Sequence, residues 1–439
     1  MFEYIKLKNF KSFDNIEFNL LDKRNNPKKL VLIYGENGVG KSNIASAFFM
    51  LSETLRTMDV RDIMEIILSE NSTDIKSNDV LKKYIHSRYK DLETLIKENK
   101  TVDTAESMYM EFGFRINDKS GKYIIEMDNT QIIHEKLEYT LTKKRGIYFD
   151  ISDKKTSINN KIFLDKDSYQ EIKSACNKFW GKHSFLSILL HEADDKSDHY
   201  IKEKISENFN LVLEFLSRLS CKIKFGNKEE RGVIGLPHEI LGKYEKGSIS
   251  LEDEEVLLKT EKMLSMFLKC TCKNIESAYY KKKYQDSKIK YELVLRKNIA
   301  GKIKDIDFSI ESTGIQSMLQ QLPFMLVASK GSTAIIDEFD TGIHDLLVKE
   351  LILSLLEDID GQLILTTHNT LLMESDIPKE SIYVINEQDS CNKEIQCILY
   401  YDNKIGTRNN IRNQYFAGKY KGIPTTKKIN FHELLNELK

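Results

Sequence analysis

A glycine-rich segment near the N-terminus carries the clearest chemical signal in the chain. It reads Gly35-Glu36-Asn37-Gly38-Val39-Gly40-Lys41-Ser42-Asn43, which contains the phosphate-binding pattern GxxxxGK[ST]. Glycines let backbone N–H groups turn inward and cradle phosphate oxygens, while the lysine reaches the β- and γ-phosphates and the hydroxyl binds Mg²⁺. The apolar run Leu30–Tyr34 precedes the segment and an amphipathic helix pattern follows it. This context predicts a nucleoside-triphosphate site that includes Lys41 and Ser42.

A pair of carboxylates follows a second apolar run. Ala334-Ile335-Ile336 has the character of a buried strand and ends directly in Asp337 and Glu338. In an α/β sheet, the carboxyl ends of the strands form the edge at which ligands bind. We therefore predict that Asp337 holds Mg²⁺ and that Glu338 orients and deprotonates an attacking water.

Two further segments contain residue types that suit the same chemistry. His368 follows the predicted strand Gln362–Thr367, where a neutral imidazole can contact a γ-phosphate, although a single histidine after a strand is often only structural. Ser312 and Gly314 stand in the segment ESTGIQ, just before an apolar helix pattern. A Ser–x–Gly turn at a helix start predicts a second anion cradle.

The composition is typical of a folded chain with little overall charge. The 439 residues include 66 Lys and Arg against 67 Asp and Glu, a formal net charge of −1, and 41% are apolar. This much apolar material can offset the entropy of ordering the chain, so collagen-like and wholly disordered classes are excluded. Any nucleic-acid contact must come from a local patch, because the net charge is not basic.

No segment of the sequence is typical of a membrane or secreted protein. The longest apolar runs are about five residues, whereas a membrane-spanning helix needs about 20. The N-terminal residues lack the apolar core of a signal peptide. The six cysteines form no CxxC pair, which favours a reduced setting. We expect a cytoplasmic protein with no membrane contact.

The pattern of apolar residues divides the chain into a split α/β core and inserted segments. Residues 108–152 alternate with period two, which predicts a β-meander, whereas residues 165–280 mostly keep helical spacing. The apolar runs on either side predict strands of a single sheet. We predict a core of residues 1–57 and 288–439, a helical insertion at 58–107, a β-meander at 108–152 and a helical lobe at 153–287.

Taken in order, these motifs resemble the ATP-binding-cassette (ABC) ATPases of the SMC, RecF and OLD branch. Within that branch, the chain is most similar to the stand-alone ATPases of bacterial abortive-infection and other anti-phage systems. The segments that carry the resemblance are NFKSF (Asn9–Phe13), GENGVGKSN, ESTGIQ, IIDEFDTGIH, LILTTHN and the tail YFAGKYKGIP (Tyr415–Pro424). The resemblance implies an α/β P-loop NTPase head of the ABC/SMC type, with a β-meander subdomain and an inserted helical lobe.

The resemblance also implies roles for particular residues. Asp337 would be the acidic metal-site residue beside Ser42, Glu338 the catalytic carboxylate and His368 the switch histidine. Residues 35–43 would bind ATP, with Lys11 and Ser12 beside the nucleotide.

The same family relationship implies a contact between two copies of the chain. Ser312 and Gly314 would reach the ATP of a second protomer, so that ATP joins a head-to-head dimer or a higher homo-oligomer. The signature-like segment differs from the family pattern at Thr313 and Ile315. The sequence does not identify the metal-site glutamine of the first half, and nothing distinguishes Gln131 for that role.

The implied activity is that of a Mg²⁺-dependent ATPase that acts as a molecular switch. The energy of ATP-driven closure would drive conformational change. That change would control a separately encoded effector, often a nuclease, in anti-phage defence. About 70 residues follow His368, too few for the TOPRIM nuclease of OLD proteins, so we do not expect this chain to be the nuclease. The alternative is a RecF- or SMC-like DNA-binding ATPase in DNA repair or chromosome maintenance.

Three further segments leave alternatives open. Tyr279–Lys290 reads YYKKKYQDSKIK, which could neutralise and stack on nucleic acid or could be a solvated helix end that leads into a strand. Trp180 is expected to pack between helices rather than on a ligand. The tail Gly418–Pro424 fits either a structural turn or a docking surface.

Overall fold

The framework of the protein is built from β-strands that helices connect and cover. The computed structural model describes residues 1–70, 90–194, 204–225, 229–235, 238, 240–374, 376–387, 392–401, 410–423 and 429–438. The strands of these residues are β1 (Phe2–Phe10), β2 (Phe13–Asn19), β3 (Leu30–Tyr34), β4 (Met108–Ile116), β5 (Lys119–Met127), β6 (Ile132–Thr140), β7 (Arg145–Ser152), β8 (Lys155–Ile158), β9 (Ser220–Phe225), β10 (Glu229–Val233), β11 (Lys246–Ser250), β12 (Ile275–Gln285), β13 (Lys288–Ile299), β14 (Lys302–Asp307), β15 (Thr333–Ile336), β16 (Gln362–Thr366), β17 (Ile382–Glu387) and β18 (Lys393–Cys397).

The α-helices of the described residues follow the same numbering along the chain. They are α1 (Lys41–Thr54), α2 (Thr57–Glu70), α3 (Leu92–Asn99), α4 (Lys166–Phe179), α5 (Phe185–Asp194), α6 (Glu207–Ser217), α7 (Glu254–Thr271), α8 (Thr313–Ser329), α9 (Asp345–Asp358), α10 (Ile411–Phe416) and α11 (Phe431–Asn436). Within these residues, no helix combines the length and the apolar character needed to cross a membrane.

The central sheet has the strand order β10-β9-β15-β16-β3-β17-β18. Strands β9, β15, β16, β3 and β17 run parallel, and β10 and β18 pair antiparallel at the two edges. Every residue of β3, β15 and β16 is buried, as expected for parallel strands that are covered on both faces. The carboxyl ends of β3, β15 and β16 therefore lie side by side at one edge.

A second, antiparallel sheet packs on the other side of α1. Its order is β2-β1-β4-β5-β6-β7-β8, and strands β4 to β7 form the meander that the period-two pattern predicts. The ring of Phe48 on α1 lies 5.0 Å from that of Phe2 and 5.8 Å from that of Phe112. These aromatic contacts fix α1, and with it the segment that precedes it, between the two sheets.

The helical character expected for residues 165–280 is wrong at several places. Strands β9, β10 and β11 lie in this range, and β12 begins in it. Strand β9 pairs in parallel with β15, so this stretch contributes a strand to the central sheet. The reason is long-range pairing, which outweighs the helical spacing of the surrounding residues. Part of the predicted helical insertion, residues 71–89, lies outside the described residues.

Strands β11, β13 and β12 form a third sheet, and β14 extends it beside β13. The segment Tyr279–Lys290 is the β12–β13 hairpin and turns at Asp286, whose φ is +51°. The expectation of a helix end at this segment is therefore wrong. Helix α7 covers the buried face of the sheet, where Ser265 Oγ donates to the carbonyl of Ala278 at 2.9 Å.

A buried glutamate joins the meander to the helical part of the chain. Glu135 on β6 is 0% exposed. It accepts hydrogen bonds from Tyr123 Oη at 2.8 Å, Trp180 Nε1 at 2.9 Å and the backbone N–H of Phe185, the first residue of α5, at 2.7 Å. Trp180 is thus held by a hydrogen bond to a carboxylate. Burial raises the pKa of Glu135 to about 7, although these donors oppose the increase.

We predict that Glu135 makes the stability of the protein fall as the pH rises. Its pKa increases from 4.5 to about 7 on folding, so the folded state binds the extra proton between these two values. Its contribution to stability is full below pH 4.5 and is lost as the pH rises through 7. The free energy of unfolding of the wild type, relative to that of Glu135→Gln, should fall by about 2–3 kcal/mol between pH 5 and 8.

The measurement is urea unfolding at both pH values. The exposed Glu276 supplies the control, and Glu276→Gln should show no such pH-dependent difference from the wild type. A difference between the wild type and Glu135→Gln that stays constant with pH would contradict the prediction.

Candidate nucleotide-binding site

The predicted phosphate loop connects the end of β3 to the start of α1. Lys41 is the first residue of α1, and Gly40 is its N-cap residue. The Nζ atom of Lys41 donates to the carbonyls of Gly35 and Glu36, each at 2.8 Å. Burial lowers the pKa of Lys41, while the nearby carboxylates oppose that decrease. The lysine therefore folds back over the loop.

Two glycines of the loop stand where no side chain fits. Gly35 has a φ of +154°, and a Cβ atom there would lie 2.6 Å from the carbonyl oxygen of Ile385. Gly40 has a φ of +112°, and a Cβ atom there would lie 2.8 Å from the ring of Phe13. Both positions require glycine for its left-handed backbone and for close packing. The N-terminal segment and β17 thus enclose the loop.

Asp337 follows β15 and lies against the start of α1. Its Oδ1 atom accepts a hydrogen bond from Thr366 Oγ1 at 2.6 Å. Burial raises the pKa of Asp337, although Thr366 and the nearby Ser42 hydroxyl oppose that increase. A serine hydroxyl and a carboxylate are hard oxygen ligands of the kind that Mg²⁺ prefers. The donor set therefore fits a magnesium ion that Ser42 and Asp337 would hold.

Glu338 stands next to this pair in an unusual backbone conformation. Its φ is +49°, which is uncommon for a residue with a side chain and costs about 1–3 kcal/mol. Its N–H donates to Thr366 Oγ1 at 2.7 Å, and its Oε2 atom accepts from Thr341 Oγ1 at 3.1 Å and from Lys224 Nζ. Burial alone would raise the pKa of Glu338, but Lys224, Thr341 and His368 together outweigh burial and hold that pKa below its ordinary value.

His368 lies at the end of the neighbouring strand β16. Its side chain is exposed, and its backbone N–H donates to Asp340 Oδ2 at 3.0 Å. Desolvation, followed by the positive charge of Lys41, lowers the pKa of His368. Because β15, β16 and β3 are parallel neighbours, the three predicted motifs that follow them lie together at one edge of the sheet.

Lys11 and Ser12 lie beside the start of α1, and their place beside a nucleotide stays a prediction. Lys11 has a φ of +50°, and its Nζ atom donates to Ser46 Oγ at 2.8 Å. Burial lowers the pKa of Lys11 to about 8. Ser12 Oγ accepts from Asn43 Nδ2 and from Lys393 Nζ, both at 2.7 Å.

Ser312 and Gly314 lie at the start of α8. Ser312 is the exposed N-cap residue of this helix, and its hydroxyl does not cap the helix. The preceding Glu311 is bound by Lys297 Nζ at 2.8 Å and accepts from the Ser312 N–H at 3.1 Å. In the described part of the chain, Ser312 makes no hydrogen bond to residues 35–43. Its contact with ATP across a dimer stays a prediction.

The fold also brings to the site residues that the sequence patterns did not identify. Lys224, at the end of β9, bonds to Glu338. The signal that could have revealed it is the alternation of β9, Ser-Cys-Lys-Ile-Lys-Phe. Gln131 lies elsewhere, beside a cavity that Thr57 and His183 also line.

The tail packs against the phosphate loop. A Cβ atom on Gly422 would lie 3.5 Å from Gly35 Cα, and Tyr415 Oη donates to the carbonyl of Gly422 at 2.9 Å. The ring of Tyr415 lies 6.1 Å from that of Tyr34. Of the two alternatives for the described part of the tail, these contacts favour the structural turn.

The fold and the site define a class of protein. A glycine-rich loop after β3, an acidic pair after β15 in the same sheet and the segment ESTGIQ at the start of α8 are together the parts of an ABC/SMC-type P-loop ATPase. The chain belongs to the family described as "AAA domain, putative AbiEii toxin, Type IV TA system", whose model matches residues 30–374. No curated protein sequence matches the chain.

Among solved structures, the chain is similar in fold to heads of SMC proteins. A crystal structure of the SmcHead bound to the C-winged helix domain of ScpA is 16% identical, covers 90% of this chain and 96% of that chain, and has a TM-score of 0.42. The SMC head domain from Thermotoga maritima is 14% identical, with coverages of 90% and 98% and a TM-score of 0.36. The Smc head domain with an extended coiled coil bound to the C-terminal domain of ScpA, derived from Pyrococcus furiosus, is 15% identical, with coverages of 90% and 95% and a TM-score of 0.40.

We predict that Gly40→Ala impairs nucleotide binding. The substitution would force a side chain into a φ of +112° and against the Phe13 ring. Strain of this kind costs about 1–3 kcal/mol, so the Kd for ATP should rise by about 5- to 150-fold. The measurement is titration calorimetry with ATP.

The matched control is Gly242→Ala, because a Cβ atom there meets nothing within 4 Å. This variant should bind ATP as the wild type does. Equal affinity of Gly40→Ala and the wild type for ATP would show that the phosphates do not bind in this loop.

Proposed function

We propose that the protein is a Mg²⁺-dependent ATPase switch that dimerises through ATP and controls a separately encoded nuclease effector in anti-phage defence. The observation that carries the enzymatic part is that Lys41, Ser42, Asp337, Glu338 and His368 follow the parallel neighbours β3, β15 and β16 at one edge of the central sheet. Each residue has a type that phosphoryl transfer to water requires.

Each of these residues would have its own role in ATP hydrolysis. The backbone N–H groups of residues 35–41 and Lys41 Nζ would bind the phosphates. Ser42 and Asp337 would hold Mg²⁺, which would neutralise charge on the phosphate oxygens when bound. Glu338 would accept the proton of the attacking water, and His368 would contact the γ-phosphate.

The dimer part of the proposal is supported by the start of α8. Ser312 is exposed, its hydroxyl does not cap the helix, and the helix start offers free backbone N–H groups to an anion. A second protomer could therefore present this end to the γ-phosphate of ATP. ATP would then join the two copies, and hydrolysis would release them.

The defence part of the proposal is supported by the family. Its description names a putative AbiEii toxin and a Type IV TA system, a setting in which a toxic activity is paired with a component that counters it. An ATP-dependent change between free and joined heads could supply that control, because it presents two surfaces to a partner.

We predict that Glu338→Gln abolishes turnover but keeps ATP binding. The amide cannot accept the proton from water, so kcat should fall by about 100-fold or more. Because the variant does not consume ATP, it should accumulate as the ATP-joined dimer. Phosphate release and light-scattering mass, with and without ATP, measure the two effects.

The control is Glu357→Gln, a change of the same kind on α9 that should hydrolyse ATP as the wild type does. Equal turnover by Glu338→Gln and the wild type would show that Glu338 is not the base. A monomeric mass with ATP present would contradict the ATP-joined dimer.

A second candidate function, a DNA-binding ATPase of the RecF or SMC kind, is favoured by the exposed face of the third sheet. Lys288 and Lys290 of β13 point to the face opposite the buried Ile289. Lys290 pairs directly with Lys283, and Lys281 stands across from Glu292. Like charges directly opposite each other are destabilising, so this face gains from an anionic partner.

We predict that this face binds the phosphate backbone of duplex DNA if the second candidate is correct. Four changes, Lys281, Lys283, Lys288 and Lys290 to Glu, should weaken binding of a labelled duplex and flatten the dependence of log Kd on log salt by about 3–4 units of slope. Fluorescence anisotropy at several salt concentrations measures both.

The matched control carries the same change of charge on another exposed surface, with Lys143, Lys144, Lys154 and Lys155 changed to Glu. It should bind DNA as the wild type does. Equal weakening by both variants, or no binding by the wild type, would remove this second candidate.

A further inference from the structure

We infer that Lys224 recognises the γ-phosphate of ATP, and that Glu338 holds this lysine until the phosphate arrives. The inference rests on the proposed ATPase function and adds a residue that would distinguish ATP from ADP. It is carried by the position of β9, by the ion pair with Glu338 and by the contrast with Lys222 on the same strand.

The backbone of β9 places Lys224 at the edge of the sheet where Asp337 and Glu338 lie. In the parallel pairing of β9 with β15, Lys222 is in register with Ile336. The N–H of Asp337 donates to the carbonyl of Lys222 at 2.8 Å, and the N–H of Lys224 approaches Asp337 Oδ2 at 3.4 Å. The end of β9 therefore lies beside Asp337, the proposed metal ligand.

The side chain of Lys224 is bound in a way that a phosphate could displace. Its Nζ atom pairs with Glu338 Oε2, and the two side chains are 32% and 34% exposed. A pair that is this accessible to water contributes little to stability. A γ-phosphate carries more negative charge than one carboxylate, so it would compete well for the ammonium group.

Lys222, the other lysine of β9, is not placed to exchange its partners for a phosphate. Its side chain is 11% exposed and pairs with Glu230 of β10 at 3.3 Å. It also reaches Gln320 of α8 at 3.4 Å. Lys222 is thus held between elements of the fold, whereas Lys224 is held by the proposed catalytic carboxylate.

If Lys224 exchanged Glu338 for the γ-phosphate, Glu338 would be free to act on water only when ATP is bound. While Lys224 pairs with Oε2, that oxygen is occupied by an ammonium group and by Thr341. Once the ammonium group binds the γ-phosphate, the carboxylate is released toward the attacking water. ADP has no γ-phosphate and would leave the ion pair in place.

The experiment measures how well each variant distinguishes ATP from ADP. Lys224→Met keeps the aliphatic stem and removes the charge, Lys224→Arg keeps the charge, and Lys222→Met is the matched control. The Kd values for ADP and for a non-hydrolysable ATP analogue with a β,γ-imido bridge are measured by calorimetry, beside ATP turnover of the wild type.

Loss of one charged hydrogen bond should weaken binding of the analogue to Lys224→Met by about 10- to 100-fold. Its Kd for ADP should stay within about twofold of the wild-type value, which also shows that the variant folds. Lys224→Arg should restore most of the affinity for the analogue, and Lys222→Met should keep the wild-type ratio of the two Kd values.

A Lys224→Met variant with the wild-type ratio of the two Kd values would overturn the inference, and so would equal weakening of both nucleotides. If the wild type hydrolyses ATP in either of these cases, the proposed function stands and only the role of Lys224 falls. A wild type that binds neither nucleotide would remove both.

Discussion

The contact of Thr366 with the buried Asp337, beside Ser42, is the constraint on which the rest of the site depends. Asp337 is 4% exposed, and a carboxylate at such a position must be hydrogen-bonded or bound to a cation, because an unpaired buried charge is costly. Its neighbours Ser42 and Thr366 come from the start of α1 and the end of β16. The three strand ends must therefore meet, and the sheet order β15-β16-β3 satisfies that requirement.

The elements around this contact are arranged so that they support it. Helix α1 is fixed between two sheets by Phe48, and the phosphate loop is enclosed by Phe13 on one side and β17 on the other. The tail closes over the loop where Gly422 approaches Gly35. Residues from the start and the end of the chain thus pack around one glycine-rich turn, which gives the turn the rigid backbone that phosphate binding requires.

Patterns confined to a few neighbouring residues could be predicted from the sequence. The phosphate loop and the acidic pair each combine an apolar strand with the polar residues that follow it, and the meander shows strict alternation. Strand β9 was missed because its six residues lie among helical segments and its only long-range signal is its pairing with β15. Lys224 was missed for the same reason, since its role depends on the carboxylate that the neighbouring strand supplies.

The sequence by itself determined the chemistry that is available: which residues can bind phosphate, hold a metal ion or accept a proton. The tertiary structure alone decided which of these groups meet, that Lys224 joins Glu338, that Gln131 stays away, and that Glu135 is a buried carboxylate joining two parts of the fold. The physical reason is that residue type and spacing fix local geometry, whereas burial and ion pairing depend on residues that are far apart in the chain and meet only in the fold.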